Sequence, residues 1–291
     1  MDRCSPTSLR IQGPPGQTPH NWPLKSAALI RRTAFHKTPE GRQVVSNKIW
    51  NCAILQEYVQ ECAFVGFDIE GGINRSCPAQ VGLVYLPELH TMPIPQGMLL
   101  GPLASLNNKI GSELWSLNIK SRDCHAPSHT PCPFATLEAT MDEAIVERFL
   151  ANQLLNWKAQ SGKKYLILVG FGSEIDLTQL TDNWPAAAGV FDGWLDTKDL
   201  ARGTRAPKEL FGGKFPSLWK MSLDLRIKEI YMGRKHNAGA DALMTVALMI
   251  AAWDSFVRGE PLNIPPPSQK TDERLQRQHA SRLMRKDLSK A

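Results

Sequence analysis

Phe64-Val65-Gly66-Phe67-Asp68-Ile69-Glu70 is the stretch that decides the fold, because it joins a buried-strand pattern to two acids at the strand end. Side chains alternate between the two faces of a strand, so Asp68 and Glu70 point to the same face. Two carboxylates that face together repel each other unless a cation neutralises them. Oxygen ligands of this kind suit hard divalent ions such as Mg²⁺ or Mn²⁺. The alternative interpretation is a solvated strand end whose two acids bind nothing.

A second informative segment lies far downstream, at His236-Asn237-Ala238-Gly239-Ala240-Asp241-Ala242. The apolar run 243–250 follows it and predicts a helix that carries Asp241 in its first turn. His236 lies on the connection just before this helix. A carboxylate there can hold a metal ion while the imidazole stands close enough to take a proton from water. Alternatively, His236 caps the helix or packs against it.

A third segment lies between these two. Residues 164–170 predict a strand with a glycine exit, and residues 171–180 predict the start of a helix with Ser173 as its N-cap. Asp176 falls three residues inside that helix. Its alternative interpretation is an acid that only complements the helix dipole, an effect of about 0.3–1 kcal/mol.

Taken together, the three segments resemble the DEDDh group of 3′–5′ exonucleases in the ribonuclease H-like superfamily, and within it the fungal-type branch. The first family motif, Asp-x-Glu on the first strand, matches Asp68 and Glu70. The second, Val-Gly-His-Asn-x-x-x-Asp-Leu, matches Asp176. The third, His-x-Ala-x-x-Asp-Ala, matches His236 and Asp241. The resemblance covers roughly residues 61–256.

The resemblance implies an enzyme that hydrolyses phosphodiester bonds with two Mg²⁺ or Mn²⁺ ions, held about 3.5–4 Å apart in such sites. Asp68 would bridge both ions. Glu70 and Asp241 would help to hold the ion that carries the attacking water, and Asp176 would act on the other ion. His236 would take the proton. The substrate would be RNA or single-stranded DNA, and the product a nucleoside 5′-monophosphate from the 3′ end.

Two further segments support the resemblance and two positions depart from it. Residues 78–84 match the second strand of the family, and residues 191–197 match its Val-Leu-Asp-Thr strand. Phe171 stands where family members usually carry a histidine or a similar polar residue, and Gln80 replaces a common acid. Neither position is a metal ligand. The alternative function is a non-catalytic nucleic-acid-binding or adaptor protein that keeps the fold.

The order of predicted elements indicates the fold class. Strands are expected at 62–69, 79–86, 113–119, 164–170 and 191–197, and helices at 139–157, 173–182, 217–232 and 239–257. Three early strands followed by alternating helices and strands predict an α/β fold, a mixed β-sheet flanked by helices on both faces. This order matches the ribonuclease H-like fold. The connection 86–111 is long for a hairpin and is expected to be an insertion or a mobile loop.

Composition predicts one domain between two unstructured ends. Residues 1–45 contain six prolines and little apolar periodicity, so they are expected to be disordered. Residues 46–257 are expected to form the exonuclease domain, and residues 258–291 a basic, flexible tail. No run of about 18 apolar residues occurs, so no membrane association is expected. Six cysteines without a Cys-x-x-Cys pair indicate a reducing compartment, the cytoplasm or the nucleus.

Two smaller features have alternative interpretations. From Lys270 to Ala291 there are seven Lys or Arg against three Asp or Glu, so the tail holds most of the net charge of +6. The tail either binds the phosphates of a nucleic acid without sequence preference or is a solvated end. The segment 124–132 contains two cysteines and two histidines. Nine residues with two prolines can hardly wrap four ligands around zinc, so this segment is predicted to be a loop.

Overall fold

The computed structural model of the chain describes residues 38–71, 78–89, 113–120, 132, 135–172, 174–204, 217–218, 221–222, 237–260 and 262. In these ranges seven strands form one mixed sheet in the order β1-β7-β6-β2-β3-β4-β5. The strands are β1 (Lys48–Ile49), β2 (Cys62–Gly71), β3 (Pro78–Leu86), β4 (Glu113–Lys120), β5 (Leu137–Asp142), β6 (Tyr165–Gly170) and β7 (Gly193–Asp196). The predicted α/β class with a mixed sheet is confirmed.

Helices alternate with the later strands. They are α1 (Pro39–Ser46), α2 (Cys52–Tyr58), α3 (Glu143–Ser161), α4 (Glu174–Asn183), α5 (Pro185–Ala188), α6 (Thr197–Thr204) and α7 (Ala238–Arg258), with a 3₁₀ turn at Val59–Glu61 before β2. Strand β2 is the centre of the sheet, because it pairs antiparallel with β3 and parallel with β6. Strand β3 pairs antiparallel with β4, and the pairs β4–β5, β6–β7 and β1–β7 are parallel.

The core forms two layers, one on each face of the sheet. Alternate residues of β2 enter opposite layers, because side chains of a strand alternate in direction. Phe64 packs with α7 residues such as Val246, and Phe67 packs with α3 residues such as Leu150 and Leu154. Helices therefore cover both faces, as predicted.

Helix α7 is the central helix of the first layer. By length and composition alone it could cross a membrane, since its most apolar 18-residue window has a mean hydropathy of 1.5. However, 89% of that window is buried inside the protein. A helix that is apolar all round and packed inside the fold is a core helix, so its composition is explained by burial.

The first predicted helix begins later than expected. The prediction of a helix over 139–157 is wrong for residues 139–142, which form most of strand β5. Leu137, Ala139 and Met141 are partly buried, whereas Glu138, Thr140 and Asp142 are exposed. This alternation has a period of two, which is the strand pattern. Asp142 then stands at the N-cap position of α3, although its side chain makes no capping bond there.

Some residues that were expected to be disordered belong to a helix. Residues 39–45 were expected to belong to the disordered segment 1–45, yet they lie in α1. Thr38 caps this helix through its side-chain oxygen, and Pro39 is a favourable first residue because its missing N–H would be unbonded there. Val44 is buried in the second layer, and Trp194 donates from Nε1 to the Val45 carbonyl at 3.2 Å.

Several expected features lie wholly or largely outside the described residues. These are the segment 1–37, most of the connection 86–111, most of the helix 217–232, most of the tail and the histidine at 236. Of the helix 217–232, only Ser217, Leu218, Met221 and Ser222 are described. The Met221 N–H donates to the Ser217 carbonyl at 2.9 Å, which is a helical bond.

Candidate functional site

The end of strand β2 positions the first two acids. Its pairing with β6 stops at Gly66, which lies opposite Val169, while its pairing with β3 continues to Gly71. Asp68 and Glu70 therefore lie on a stretch of β2 that has passed the end of β6. Both belong to the face of the sheet that α7 covers. Sites in open α/β sheets typically lie beyond the carboxyl ends of parallel strands, and these two acids have that location.

The N-terminus of α7 brings in a third acid. Asn237 caps the helix, because its Oδ1 atom accepts the Ala240 N–H at 3.1 Å. The Asp241 N–H donates to the Asn237 carbonyl at 2.9 Å, which makes Asp241 a first-turn residue. Asp241 is buried. The cap therefore fixes the turn from which this carboxylate projects towards the sheet.

Gln80 attaches this first turn to the sheet. Its Oε1 atom accepts the Ala238 N–H at 2.9 Å, and its Nε2 atom donates to Ser116 Oγ at 3.3 Å and Asn118 Oδ1 at 3.1 Å. Gln80 is completely buried, so each of these bonds replaces one that water would otherwise make. The amide thus joins β3, β4 and the start of α7.

Gly82, two residues further along β3, lets the same helix turn approach the strand closely. A Cβ atom at residue 82 would overlap the carbonyl group of Ala238. Only glycine permits this approach, so β3 holds the start of α7 both by a hydrogen bond and by direct backbone contact.

Three of the predicted site residues come together in the structure. Asp68, Glu70 and Asp241 each offer a carboxylate oxygen, and these oxygens all lie within 4.8 Å of one another. An octahedral Mg²⁺ site with bonds of about 2.0–2.1 Å places opposite ligand oxygens about 4.2 Å apart. Neighbouring ligand oxygens in the same geometry lie about 2.9 Å apart, so the three acids would close towards one another when they share one such ion.

The Asp68 side chain shows why the three acids fit a cation. Its Oδ2 atom is buried and has no hydrogen-bond partner among the described residues. A buried, unpaired carboxylate oxygen is costly, because it has lost its water and gained nothing in return. A divalent cation would supply the missing partner. The donor set of this site, all carboxylate oxygens, is the set that hard ions prefer.

Electrostatic repulsion accompanies this burial. The pKa of Asp68 is raised well above its ordinary value, first by burial and then by the charges of Asp176, Asp241 and Glu70. In the absence of a cation, a proton bound to Asp68 therefore relieves the repulsion among these acids. A bound cation would displace that proton.

Asp176, the second-motif acid, lies beside the three-acid group and not within it. Its oxygens do not lie within 4.8 Å of all three partners. Burial, followed by the charges of Glu70 and Asp196, raises the pKa of Asp176 to about 7. Two contacts act against this rise: the positive charge of Lys198 and a hydrogen bond that the Ile69 N–H donates to the carboxylate. Asp176 thus shares the electrostatic environment of the site.

The turn between β6 and α4 adds a second polar cluster on the same side as Asp176. Asp196 accepts the N–H groups of Gly172 at 3.0 Å and of Lys198 at 2.9 Å through its Oδ1 atom. The Thr197 hydroxyl donates to the Gly170 carbonyl at 3.1 Å. Burial raises the pKa of Asp196 in spite of its two N–H donors. These bonds fix the carboxyl ends of β6 and β7 against each other.

Two predicted site features lie wholly or largely outside the described residues. His236 lies outside the described residues, immediately before the described cap Asn237. Of the four cysteine and histidine residues in the segment 124–132, only Cys132 is described. It is buried in the first core layer, and its Sγ atom lies 3.2 Å from the position that a Cβ on Gly239 would occupy. Cys132 therefore packs against the first turn of α7.

Sequence reasoning missed two residues of the site. Gln80 was recognised only as a departure from an acidic position, yet it anchors the helix that bears Asp241. Lys198 was not recognised, although its charge acts on Asp176. A signal for it did exist, because it directly follows the Leu195-Asp196-Thr197 segment that was matched to a strand of the site.

A comparison of the chain with protein-family models finds no match, and a comparison with curated proteins finds no significant match either. The kinship with DEDDh exonucleases stays a prediction from the sequence motifs.

Proposed function

We propose that this protein is a metal-dependent 3′–5′ exonuclease that hydrolyses the phosphodiester bonds of RNA or single-stranded DNA. The observation that carries the proposal is the convergence of Asp68, Glu70 and Asp241, which each offer a carboxylate oxygen within 4.8 Å of the others. In addition, Asp68 Oδ2 is buried without a hydrogen-bond partner among the described residues. These residues come from a strand end and a helix start that are far apart in sequence. They are also the acids that the first and the third family motifs single out.

The topology supports a ribonuclease H-like fold for the domain. The antiparallel strands β2, β3 and β4 are followed by the parallel strands β6 and β7, with α3 to α5 between them. Apart from the edge strands β1 and β5, this is the element order expected from the resemblance. In addition, Asp68 and Glu70 lie on the central strand of the sheet, as the first family motif implies.

In the proposed site, Asp68, Glu70 and Asp241 would hold the divalent cation, Mg²⁺ or Mn²⁺. Such a cation stabilises the negative charge that develops on a phosphoryl group during hydrolysis. Gln80 would keep Asp241 in place by fixing the first turn of α7. His236 would accept the proton of the attacking water, a task that suits an imidazole with an ordinary pKa of about 6.5.

The hydrolysis adds one water molecule to the substrate. The water oxygen forms a bond to phosphorus, and the bond between phosphorus and the 3′-oxygen of the preceding nucleotide breaks. The 3′-oxygen leaves with its electron pair and takes up a proton. The terminal residue is released as a nucleoside 5′-monophosphate.

A directional cleavage assay tests the proposal. Single-stranded RNA and DNA oligonucleotides with a 5′ label would be incubated with the protein in Mn²⁺, in Mg²⁺ or in EDTA. We expect products shortened one nucleotide at a time from the 3′ end in metal and no cleavage in EDTA. Substrates with a blocked 3′ end and the Asp68→Asn variant serve as controls. If the wild-type protein leaves every substrate intact in both metals, the exonuclease proposal fails and a non-catalytic role replaces it.

A further inference from the structure

Lys198 lies at the Asp176 side of the site on a fixed piece of backbone. It is the second residue of α6, and its N–H donates to Asp196 Oδ1 at 2.9 Å. Asp196 Oδ1 also accepts the Gly172 N–H at 3.0 Å. One carboxylate thus ties the start of α6 to the turn after β6. Consequently, the lysine side chain starts from a rigid position beside the end of β6.

The ammonium group of Lys198 is held over that turn. Its Nζ atom lies 4.5 Å from the centre of the Phe171 ring, a cation–π distance. It also lies against Gly172, where a Cβ atom would overlap it. Gly172 has φ +71, a left-handed conformation that glycine adopts without strain. The ammonium group therefore packs against both Phe171 and Gly172.

Lys198 has the properties of a cation that binds an anionic ligand. Its side chain is partly buried, and among the described residues no carboxylate forms an ion pair with it. It nevertheless acts electrostatically on both Asp176 and Asp196. Partly desolvated lysines commonly bind phosphate as compact point charges, and the ammonium group still has donors to offer.

The arrangement of the four acids sets Asp176 apart from the other three. Three of them can share one ion, whereas Asp176 is not within the same distance of all three partners. The resemblance assigns Asp176 to a second ion. In this chain a lysine ammonium lies against Phe171 and Gly172, in the turn that leads into the helix of Asp176. Its positive charge opposes the rise in the pKa of Asp176.

We propose that Lys198 takes the place of a second metal ion, so that the site works with one divalent cation at Asp68, Glu70 and Asp241 and one ammonium group that binds an oxygen of the scissile phosphodiester. This inference rests on the proposed function for the identity of the substrate. Lys198 neither gives nor takes a proton in the hydrolysis. Its role is to neutralise phosphate charge, which becomes greater in the transition state.

Counting bound metal ions tests the inference without any need for turnover. Mn²⁺ would be titrated calorimetrically into the metal-free 291-residue chain, and thermal unfolding would show that each variant is folded. We expect one tightly bound Mn²⁺ per chain in the wild type and two in Lys198→Met, since removal of the ammonium group leaves Asp176 available to a second ion. Lys198→Arg keeps the positive charge and is expected to bind one Mn²⁺ per chain, as the wild type does.

Lys164→Met is the matched control. Lys164 also lies beside an aromatic ring, with its Nζ 4.8 Å from the centre of Tyr165, but it flanks the opposite end of β6 and pairs with Glu61 at 3.4 Å. This variant should bind one Mn²⁺, as the wild type does. The inference is overturned if the wild type binds two ions or none, or if Lys198→Met still binds one.

Cleavage provides an independent readout. In limiting Mn²⁺, Lys198→Met should cleave single strands about 10²–10³-fold more slowly than the wild type, the usual loss for one charge-stabilising donor. High Mn²⁺ should restore part of that rate in the variant only. A wild type that binds one Mn²⁺ but cleaves nothing would refute the exonuclease proposal and leave the metal count of Lys198→Met to decide the inference.

Discussion

Asp68 shows at the scale of a single residue why this site needs a cation. The side chain is held by the central strand of the sheet, one oxygen is buried without a partner, and three other acids act on it. An apolar or amide side chain would be more stable there, because it would not suffer this repulsion. A carboxylate at this position is therefore best explained by a ligand that compensates its charge.

The pH dependence of stability should report this repulsion. Asp68 and Asp176 have raised pKa values in the folded protein, to about 7 for Asp176 against an ordinary value of 3.8. The folded state thus keeps protons that the unfolded chain releases, and its stability must fall as pH rises between these two values. In EDTA, the midpoint of thermal unfolding should therefore decrease from about pH 4 to pH 8.

The variant Asp176→Asn should reduce this decrease, because it removes one of the carboxyl groups whose pKa is raised in the folded protein. Each 1 kcal/mol of stability regained at pH 8 corresponds to about 2–4 °C for a domain of this size. Excess Mn²⁺ at pH 8 should also raise the midpoint of the wild type, since a ligand of the folded state stabilises it. A midpoint that is equal in wild type and variant across this pH range would contradict the assigned repulsion.

His236 should affect the rate of hydrolysis without affecting the binding of metal. It precedes the cap of α7 and corresponds to the histidine of the third motif. Replacement by alanine should lower the rate by about 10²–10⁴-fold, the usual contribution of a positioned general base. Calorimetry should give an unchanged affinity for Mn²⁺. Lost metal affinity would show that His236 is a ligand, and the proposed role would then be wrong.

At the scale of elements, the contact between β3 and the start of α7 assembles the site. The bond from Ala238 to Gln80 joins residues that are 158 positions apart in sequence. Gly82 allows the helix to approach the strand next to that bond. Because Asp241 lies one turn further along the helix, this contact sets the distance between Asp241 and the two acids on β2.

Gln80→Ala tests this coupling. It leaves the buried Ala238 N–H without its partner, which should cost about 1–3 kcal/mol of stability, and it should weaken Mn²⁺ binding by loosening Asp241. Asn51→Ala is the matched control, because Asn51 Oδ1 accepts the Ile54 N–H at 2.9 Å at the start of α2. Helix α2 packs near the far end of α7, where Cys52 contacts Ala252. Equal loss of Mn²⁺ affinity in both variants would contradict a specific role of Gln80.

Sequence patterns predicted some of these elements well and others poorly. The strands around Phe64 and Ile167 and the helix after Asn237 have long apolar patterns, and the structure places them within one or two residues of the expected bounds. Strand β5 was missed because its short alternating pattern runs directly into the helix pattern of α3. The role of Gln80 arises from a contact between distant segments, which no local pattern contains. Lys198 has a local signal, its place directly after Thr197, but its contacts with Phe171 and Gly172 again join distant segments.

At the scale of the whole molecule, most of the net positive charge lies in the C-terminal tail. The tail from Lys270 to Ala291 carries seven cations, and the rest of the chain is nearly neutral. If the tail binds phosphate, its removal should weaken substrate binding with little change in rate at saturation. Each phosphate neutralised on a single strand contributes about −0.7 to the slope of log affinity against log salt, so about half the cations would contribute roughly two units.

Binding of a labelled single strand to the 291-residue chain and to the chain without its tail, measured over a range of salt concentrations, checks this expectation. Both proteins should be compared without divalent metal, so that the substrate stays intact. An unchanged salt slope after truncation would show that the tail is a solvated end. In that case the site itself must supply the binding energy.

Anomalous diffraction from crystals grown with Mn²⁺ tests the central claim most directly, because it locates the ion itself. We predict one strong Mn²⁺ peak bound by carboxylate oxygens of Asp68, Glu70 and Asp241, with metal–oxygen distances near 2.2 Å, slightly longer than the 2.0–2.1 Å typical of Mg²⁺. The Asp68 oxygen that now lacks a partner should be one of the ligands. A map with no Mn²⁺ peak at these acids, in crystals whose solution contains millimolar Mn²⁺, would contradict the account.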